Sequence, residues 1–139
     1  MPKTTTPAFT QAITHTPTQF LTADSTNFKT IATGGTNDSR IVHLTISSTD
    51  SASNVAYFAF SNGAVTIQIG HCNIPNGSGT NGTNNAVAVL SASSFPHRKL
   101  DNNANPYFEL ANGWVLQMRL ANGVTAAMEI SVLVTQEDY

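Results

Sequence analysis

The chain has 139 residues, of which 40% are apolar and only 10% are charged, and its formal net charge is -2. This length suits one domain with a core of its own, and well-formed apolar runs with so little net charge argue against a disordered chain. Six Lys and Arg residues against eight Asp and Glu form no basic surface. Neither nucleic acid nor an anionic membrane is therefore expected as a partner.

A surface with so few charges repels its neighbours weakly, which favours a subunit of an assembly. The single cysteine, Cys72, excludes an intrachain disulfide. The N-terminal sequence lacks the apolar segment of a signal peptide, and no run approaches the roughly 18 apolar residues of a membrane span. We therefore expect the chain to fold in a cytoplasm.

The first 26 residues are rich in Thr and Pro and show no sustained helical or strand period. Pro7 and Pro17 disfavour a regular hydrogen-bond ladder. Large apolar side chains are spaced along this stretch at Phe9, Ile13, Phe20 and Leu21. The pattern favours an extended N-terminal arm over residues 1–26, whose apolar side chains contact a neighbouring subunit. A disordered tail is the alternative.

From residue 27 to residue 139 the dominant pattern is a period of two, which is typical of half-buried strands. The four clearest runs place apolar residues at alternate positions: Val42, Leu44 and Ile46; Val65, Ile67 and Ile69; Trp114, Leu116, Met118 and Leu120; and Met128, Ile130, Val132 and Val134. Weaker runs occupy residues 28–32, 55–60, 86–90 and 107–110. Together they predict about eight strands and no helix longer than one turn.

Asn-Gly pairs separate several of these runs and supply positive φ angles at low cost. Asn62-Gly63 and Asn112-Gly113 each lie between two apolar runs and predict hairpins. The stretch from Asn73 to Asn85 is too long for a tight turn and predicts a projecting surface loop. The whole pattern predicts one all-β domain over residues 27–139, a jelly roll or β-sandwich of about eight short antiparallel strands.

No residue pattern indicates a catalytic or metal site. The histidines are too far apart in sequence to share one face of a helix or strand, and neighbours such as His71 and Cys72 point to opposite faces of a strand. No Gly-x-Ser-x-Gly turn supports a nucleophilic serine. Asp101 and Glu109 would form a pair of acids only if the fold brought them into one cleft. We predict no catalytic residue, no cofactor and no metal, and expect that the chain is not an enzyme.

The segment from Asp101 to Pro106 offers side-chain oxygens at alternate positions, as the start of a calcium loop does. An EF-hand needs Gly at its sixth position and a bidentate Glu at its twelfth, where this chain has Pro106 and Asn112. The same residues suit a turn in which Asx side chains bond the backbone. We predict such a turn, leading into Tyr107.

Four segments resemble small virion proteins of tailed bacteriophages and prophages. They are residues 27–31, the Gly34-Gly35 turn into Ser39-Arg40-Ile41, residues 47–50, and Leu100 to Tyr107 with the sequence LDNNANPY. The resemblance extends over roughly residues 27–139. It implies a β-sandwich or jelly-roll building block of the particle, most like the capsid decoration or cement proteins, which often form trimers where capsomers meet. It implies no catalytic residues.

The resulting expectation is a homo-oligomer, with a trimer as the expected form, that bridges and stabilises neighbouring capsomers of a virion assembled in the bacterial host cytoplasm. Its partner would be the major capsid protein or another virion protein. The alternative is a collar, neck or tail-tip module that binds a host-surface glycan or another virion protein. In that case Trp114, Tyr57, Tyr107 and the loop asparagines would supply the sugar contacts.

Overall fold

The computed structural model describes residues 10–96 and 98–139 of the chain. Over these residues the fold is all-β, as predicted, and its one helix is the single 3-10 turn Thr22–Asp24. The ten strands are β1 Ala12–Phe20, β2 Lys29–Thr33, β3 Ser39–Ser48, β4 Asn54–Ser61, β5 Thr66–Ile74, β6 Val87–Ala88, β7 Lys99–Leu100, β8 Pro106–Leu110, β9 Val115–Leu120 and β10 Ile130–Asp138. Nothing helical in these two ranges has the length and apolar character needed to cross a membrane.

The strands form two antiparallel sheets that pack as a β-sandwich. One sheet has the order β1-β10-β3-β8-β7, with β6 beside β3, and the other has the order β2-β9-β4-β5. Four of the pairings are nested: β1 with β10, β2 with β9, β3 with β8 and β4 with β5. In addition, β10 pairs with β3 and β9 pairs with β4, so the nested pairs are divided between the two sheets. The resulting strand order is that of a jelly roll.

The core lies between the two sheets and is filled by the alternate residues of each strand. The predicted alternation is clearest in β9 and β10, where the inward side chains are almost fully buried: Leu116, Met118, Leu120, Ile130, Val132 and Val134. Phe95 comes from the segment between β6 and β7, and its ring centroid is 4.9 Å from that of Phe58 and 5.1 Å from that of Phe108. Phe95 therefore joins the aromatic part of the core between the sheets.

Residues 12–20 do not form the extended arm predicted for residues 1–26. They are the edge strand β1, paired with β10 over nine residues of the same chain. Phe20 is fully buried in the core, whereas Ile13 and Leu21 are exposed on 64% and 45% of their surfaces. Pro17 is compatible with this ladder because an edge strand can turn the missing N–H toward solvent. Phe9 lies outside the described residues.

Two local predictions need correction. Asn112-Gly113 does not close a hairpin, because β8 and β9, which it joins, belong to different sheets. Val42 does not share the inward face of Leu44, because the register against β10 shifts beside it and leaves Val42 as the additional residue of a β-bulge. Asn62-Gly63, in contrast, closes the β4–β5 hairpin as predicted, with Gly63 at φ +89°.

The loop predicted from Asn73 to Asn85 begins only after Ile74, the last residue of β5, and it does not project along its whole length because Gly77 and Ser78 anchor it to the sandwich. Gly77 and Ser78 are buried. The Ser48 N–H donates to the Ser78 carbonyl at 2.8 Å, and the Gly77 N–H donates to the Asp50 carbonyl at 2.9 Å. The outer part of the loop is exposed and is held by the Asn81 side chain, which accepts from two backbone N–H groups. The loop therefore has a defined shape.

Candidate functional site

An apolar patch covers the end of the sandwich at which the β4–β5 hairpin turns. Phe60 pairs with Ile67 across the hairpin, and both side chains are on the face of the sheet that is turned toward the core. Val65 and Trp114 are each two residues from a position on this face, so their side chains point the same way. Val65 and Ile67 are exposed on 54% and 56% of their surfaces, while Phe60 and Trp114 are half-buried. We call these four residues the end patch.

A small apolar cavity adjoins the end patch and shares Phe60 and Trp114 with it. It has a volume of about 240 Å³ and is lined by Phe60, Glu109, Leu110, Ala111 and Trp114. Glu109 is the one charged residue of this lining, and its carboxylate is already bound by the Lys99 ammonium at 2.8 Å. Exposed apolar surface beside an apolar cavity is typical of an interface for another apolar group.

The outer edge of β5 adjoins this patch. Its nine residues, Thr66–Ile74, include no Lys, Arg, Asp, Glu or Pro. Natural sheets commonly protect an edge with such residues, because unpaired backbone N–H and C=O groups otherwise attract another strand. A register shift at Ile69 bends the strand, and near Gly70 the carbonyl of Ser94 presses against it. The first third of β5, from Thr66 to Gln68, is exposed on both faces.

A second concave surface lies on the outer face of the six-stranded sheet. β3 pairs with β8 through residues 39–41 and with β6 through residues 45–46, and between these two ladders the sheet opens. The opening has a volume of about 520 Å³. Its polar lining includes Arg40, His43, Asp101, Asn105, Tyr107 and Glu137. We call it the β3 groove.

Arg40 is the central cation of the β3 groove. Its guanidinium carbon lies 4.1 Å from the centroid of the Tyr107 ring and 5.9 Å from that of Tyr139, so both aromatic rings attract it. Its Nε atom is buried and has no hydrogen-bond partner among the described residues. Arg119 makes the equivalent contact in the other sheet, at 4.3 Å from the Tyr57 ring.

The turn from Asp101 to Asn105 forms one wall of the β3 groove, and it is the Asx turn that the sequence predicts. One Asp101 carboxylate oxygen accepts the backbone N–H groups of Asn103 and Asn105, both at 2.8 Å. The Asn105 N–H, above all, holds the pKa of Asp101 below its ordinary value. Across residues 10–96 and 98–139, no three His, Cys, Asp or Glu side chains are grouped so that they could hold a metal ion.

Two further carboxylates stabilise the fold, Asp50, which is buried, and Asp138, which is partly buried. Asp50 accepts bonds from the Thr125 N–H at 2.9 Å, from the Thr125 hydroxyl at 2.7 Å and from the Ala52 N–H at 3.0 Å. Burial acts to raise the pKa of Asp50, but these donors outweigh it and the net pKa is lowered. The pKa of Asp138 is lowered in the same way, because donors from Ser39, Gln136 and Thr14 outweigh the effect of burial.

The aromatic residues that the sequence suggests for sugar binding do not meet at one site. Tyr107 lies at the β3 groove, Tyr57 lies on the other sheet beside Arg119, and Trp114 lies in the end patch. Glu109 is paired with Lys99, and Asp101 holds its own turn. The sequence pattern did not single out Arg40 or the exposed face of Ile67, because only the fold shows what lies beside them.

Compared with models of protein families, with curated proteins and with solved structures, the chain gives no match.

Proposed function

We propose that this chain is a structural subunit of a tailed-phage virion, a capsid decoration protein that forms a homotrimer and bridges neighbouring copies of the major capsid protein. The observation that carries the proposal is the end patch, in which Val65 and Ile67 are each more than half exposed. Full burial of such a side chain contributes roughly 1.5–3 kcal/mol, so covering the exposed halves of both would contribute about 2–3 kcal/mol to association.

Three other features support the proposal. The β-sandwich has the strand order of jelly rolls, an architecture used by viral capsid proteins as well as by lectin domains. The β5 edge is free of charged residues, so another strand can approach it without electrostatic repulsion. The low charge of the whole chain favours association for the same reason. A protein that bridges capsid subunits needs a surface complementary to theirs and no catalytic group.

Sedimentation of the purified chain at increasing concentration tests the assembly. We expect a reversible trimer, and we expect Ile67→Lys to weaken it by about tenfold or more, which corresponds to about 1.4 kcal/mol. Leu133→Lys is the matched control, because Leu133 is exposed on 45% of its surface on the other sheet, away from the end patch. A chain that stays monomeric at its highest soluble concentration, and does not bind phage particles assembled without it, contradicts the proposal.

The β3 groove favours a second candidate function, a module that binds a host-surface glycan. Sugar sites combine aromatic surface with side chains that can donate and accept hydrogen bonds, and Tyr107, Asn105 and Arg40 offer this combination in one concavity. A glycan array tests it. Specific binding that is lost in Tyr107→Ala but kept in Tyr57→Ala, which removes the equivalent arginine-stacked ring from the other sheet, would support this function. An array without specific binding rejects it.

A further inference from the structure

Five Asn-Gly pairs lie in the described part of the chain, at residues 62–63, 76–77, 81–82, 112–113 and 122–123. Asparagine is a thermolabile residue. In an Asn-Gly pair its side-chain amide carbon can bond to the glycine nitrogen, which no side chain hinders. This ring closure rotates the peptide between the two residues. It is therefore slowed wherever a hydrogen bond holds the asparagine side chain, the asparagine carbonyl or the glycine N–H.

Four of the five pairs are held by such hydrogen bonds. The side-chain oxygens of Asn62 and Asn81 each accept two backbone N–H groups, at 2.8–3.0 Å. The Gly77 N–H donates to a backbone carbonyl at 2.9 Å. The Asn122 carbonyl accepts from the side chain of Asn54 at 2.8 Å, and Asn54 is itself buried. In each of these pairs a bond must break before the ring can close.

The Asn112-Gly113 pair has no such restraint. Its residues are the central positions of the turn between β8 and β9, which the Trp114 N–H closes by donating to the Ala111 carbonyl at 3.0 Å. The Asn112 N–H donates to the Asp38 carboxylate at 2.8 Å. Within the described residues, nothing bonds the Asn112 side chain, the Asn112 carbonyl or the Gly113 N–H.

The peptide between Asn112 and Gly113 is also accessible and free to rotate. Both residues are exposed, and nothing lies within 4 Å of the position that a Gly113 Cβ would occupy. Gly113 has φ +81° and Asn112 has a negative φ, which is the pattern of a type II turn. Type I and type II turns differ in the orientation of this central peptide, and glycine tolerates both. Water therefore reaches a peptide that can turn without opening the bond between Trp114 and Ala111.

We propose that Asn112 is a site of spontaneous deamidation in the folded chain. The Gly113 nitrogen loses its proton to hydroxide and bonds to the Asn112 Cγ, and the side-chain nitrogen leaves as ammonia. One water molecule then opens the cyclic imide to aspartate or isoaspartate. The product carries a new negative charge near the Asp38 carboxylate and two residues from Trp114 of the end patch. The charge of this surface thus changes as the protein ages. The inference does not depend on the proposed virion function.

The test follows all five pairs by peptide mass spectrometry while the full chain is incubated at pH 8, either folded or in concentrated guanidinium chloride. Trypsin cleavage after Lys99 and Arg119 separates Asn112 from the other four pairs. In denaturant the five pairs should react at similar rates, because each has glycine after the asparagine. In the folded chain Asn112 should react about tenfold faster or more than Asn81, because every 1.4 kcal/mol needed for local opening slows a protected site about tenfold.

Two variants assign the reaction to one residue. Asn112→Gln should remove most of the modification of the folded chain, because glutamine closes a larger ring more slowly. Asn122→Gln is the matched control, since it removes an Asn-Gly pair from another exposed turn, and it should leave the total unchanged. The proposal is overturned if Asn112 in the folded chain reacts no faster than Asn81 and Asn122. It is equally overturned if Asn112 stays intact over the time in which the denatured chain is modified.

Discussion

The Ser94 carbonyl oxygen occupies the space in which a Cβ atom on Gly70 would lie. Gly70 is in β5, opposite Phe58 of β4, and Ser94 immediately precedes Phe95. The missing side chain at Gly70 thus allows the segment before β7 to approach the sheet closely. This approach places the fully buried Phe95 ring against Phe58 and Phe108. The glycine and the aromatic core are therefore coupled through one backbone contact.

Gly70→Ala should destabilise the fold by about 1–3 kcal/mol, the usual cost of overpacking, because the added methyl group would displace the Ser94 backbone and with it Phe95. The matched control is Gly123→Ala, where the nearest atom to an added Cβ is the Ser25 Cα at 3.9 Å. It should be neutral, or stabilising by a few tenths of a kcal/mol up to about 1. Urea unfolding monitored by Trp114 fluorescence measures both. Equal stability of the two variants would refute the coupling.

Asp50→Asn should lower the free energy of unfolding by about 1–3 kcal/mol at pH 7, because the new amide places an NH₂ group against donors from Thr125 or Ala52. The folded-state pKa of Asp50 is lowered, so on acidification the unfolded chain takes up the proton first. The stabilisation of the fold by ionised Asp50 is complete well above the unfolded-state pKa of about 3.9 and is lost as the pH falls through the folded-state pKa.

The difference between Asp50→Asn and the unaltered chain should therefore narrow as the pH falls below the unfolded-state pKa of about 3.9 and toward the lowered folded-state pKa. Urea titrations at several pH values between 7 and 3 provide the measurement. A difference that stays constant over this range would mean that the carboxylate charge contributes nothing at this position.

Gln136→Glu should be among the most destabilising single changes at neutral pH. Gln136 is buried, and its amide nitrogen donates to the Asp138 carboxylate at 2.7 Å and lies within 3.2 Å of the Thr33 carbonyl and the Ser39 hydroxyl. A carboxylate there would lose the donor and add a like charge beside Asp138, at a cost of roughly 3–5 kcal/mol. Gln136→Met, which adds no charge, should cost about 1–3 kcal/mol.

The two Gln136 variants should also respond differently to pH. Protonation of the introduced carboxyl restores one donor and removes the repulsion, so Gln136→Glu should approach Gln136→Met in stability as the pH is lowered. Thermal unfolding from pH 7 to pH 4 compares them. If the glutamate variant is no less stable than the methionine variant at pH 7, the proposed repulsion is absent.

How far the sequence predicts this fold depends on how completely each strand is covered. β9 and β10 are central strands with one buried face, so their alternation is uninterrupted and the prediction is confirmed. β1 is exposed along nearly its whole length and pairs on only one side. Polar residues and a proline can form this strand, because its hydrogen-bond ladder with β10 and the buried Phe20 hold it in place. Such a strand carries no periodic apolar signal.

The candidate sites were harder to predict, because they depend on contacts between residues distant in sequence. Arg40 stacks on Tyr107, which is 67 positions later in the chain. The β3 groove that they line exists because β3 pairs with β8 in one part of its length and with β6 in another. The exposure of Ile67 also escapes prediction. Its alternation with Ile69 resembles that of a covered strand, and only the sandwich packing shows that this end is open. The Asp101 turn was predictable, since all its bonds are local.

Cys72 provides a probe of how the β5 edge opens. Its thiol is 92% buried opposite Ala56, and burial raises its pKa to about 12. Because the thiolate is the reactive form, a disulfide reagent at pH 8 should not react with the folded chain and should react fully in strong denaturant. β5 is an edge strand, so two routes of exposure compete: local fraying of the edge and unfolding of the whole domain.

We expect the second route, because the Cys72 side chain faces the core and the carbonyl of Ser94 covers the strand two residues away at Gly70. The free energy of opening derived from the labelling rate should then equal the free energy of unfolding, and the rate should rise with urea with the slope of the global transition. Labelling that is fast and independent of urea would show instead that β5 separates from β4 by itself. In that case the exposed segment from Val65 to Gln68 would be the start of a mobile edge, and the assembly contact proposed at Ile67 would have to order it.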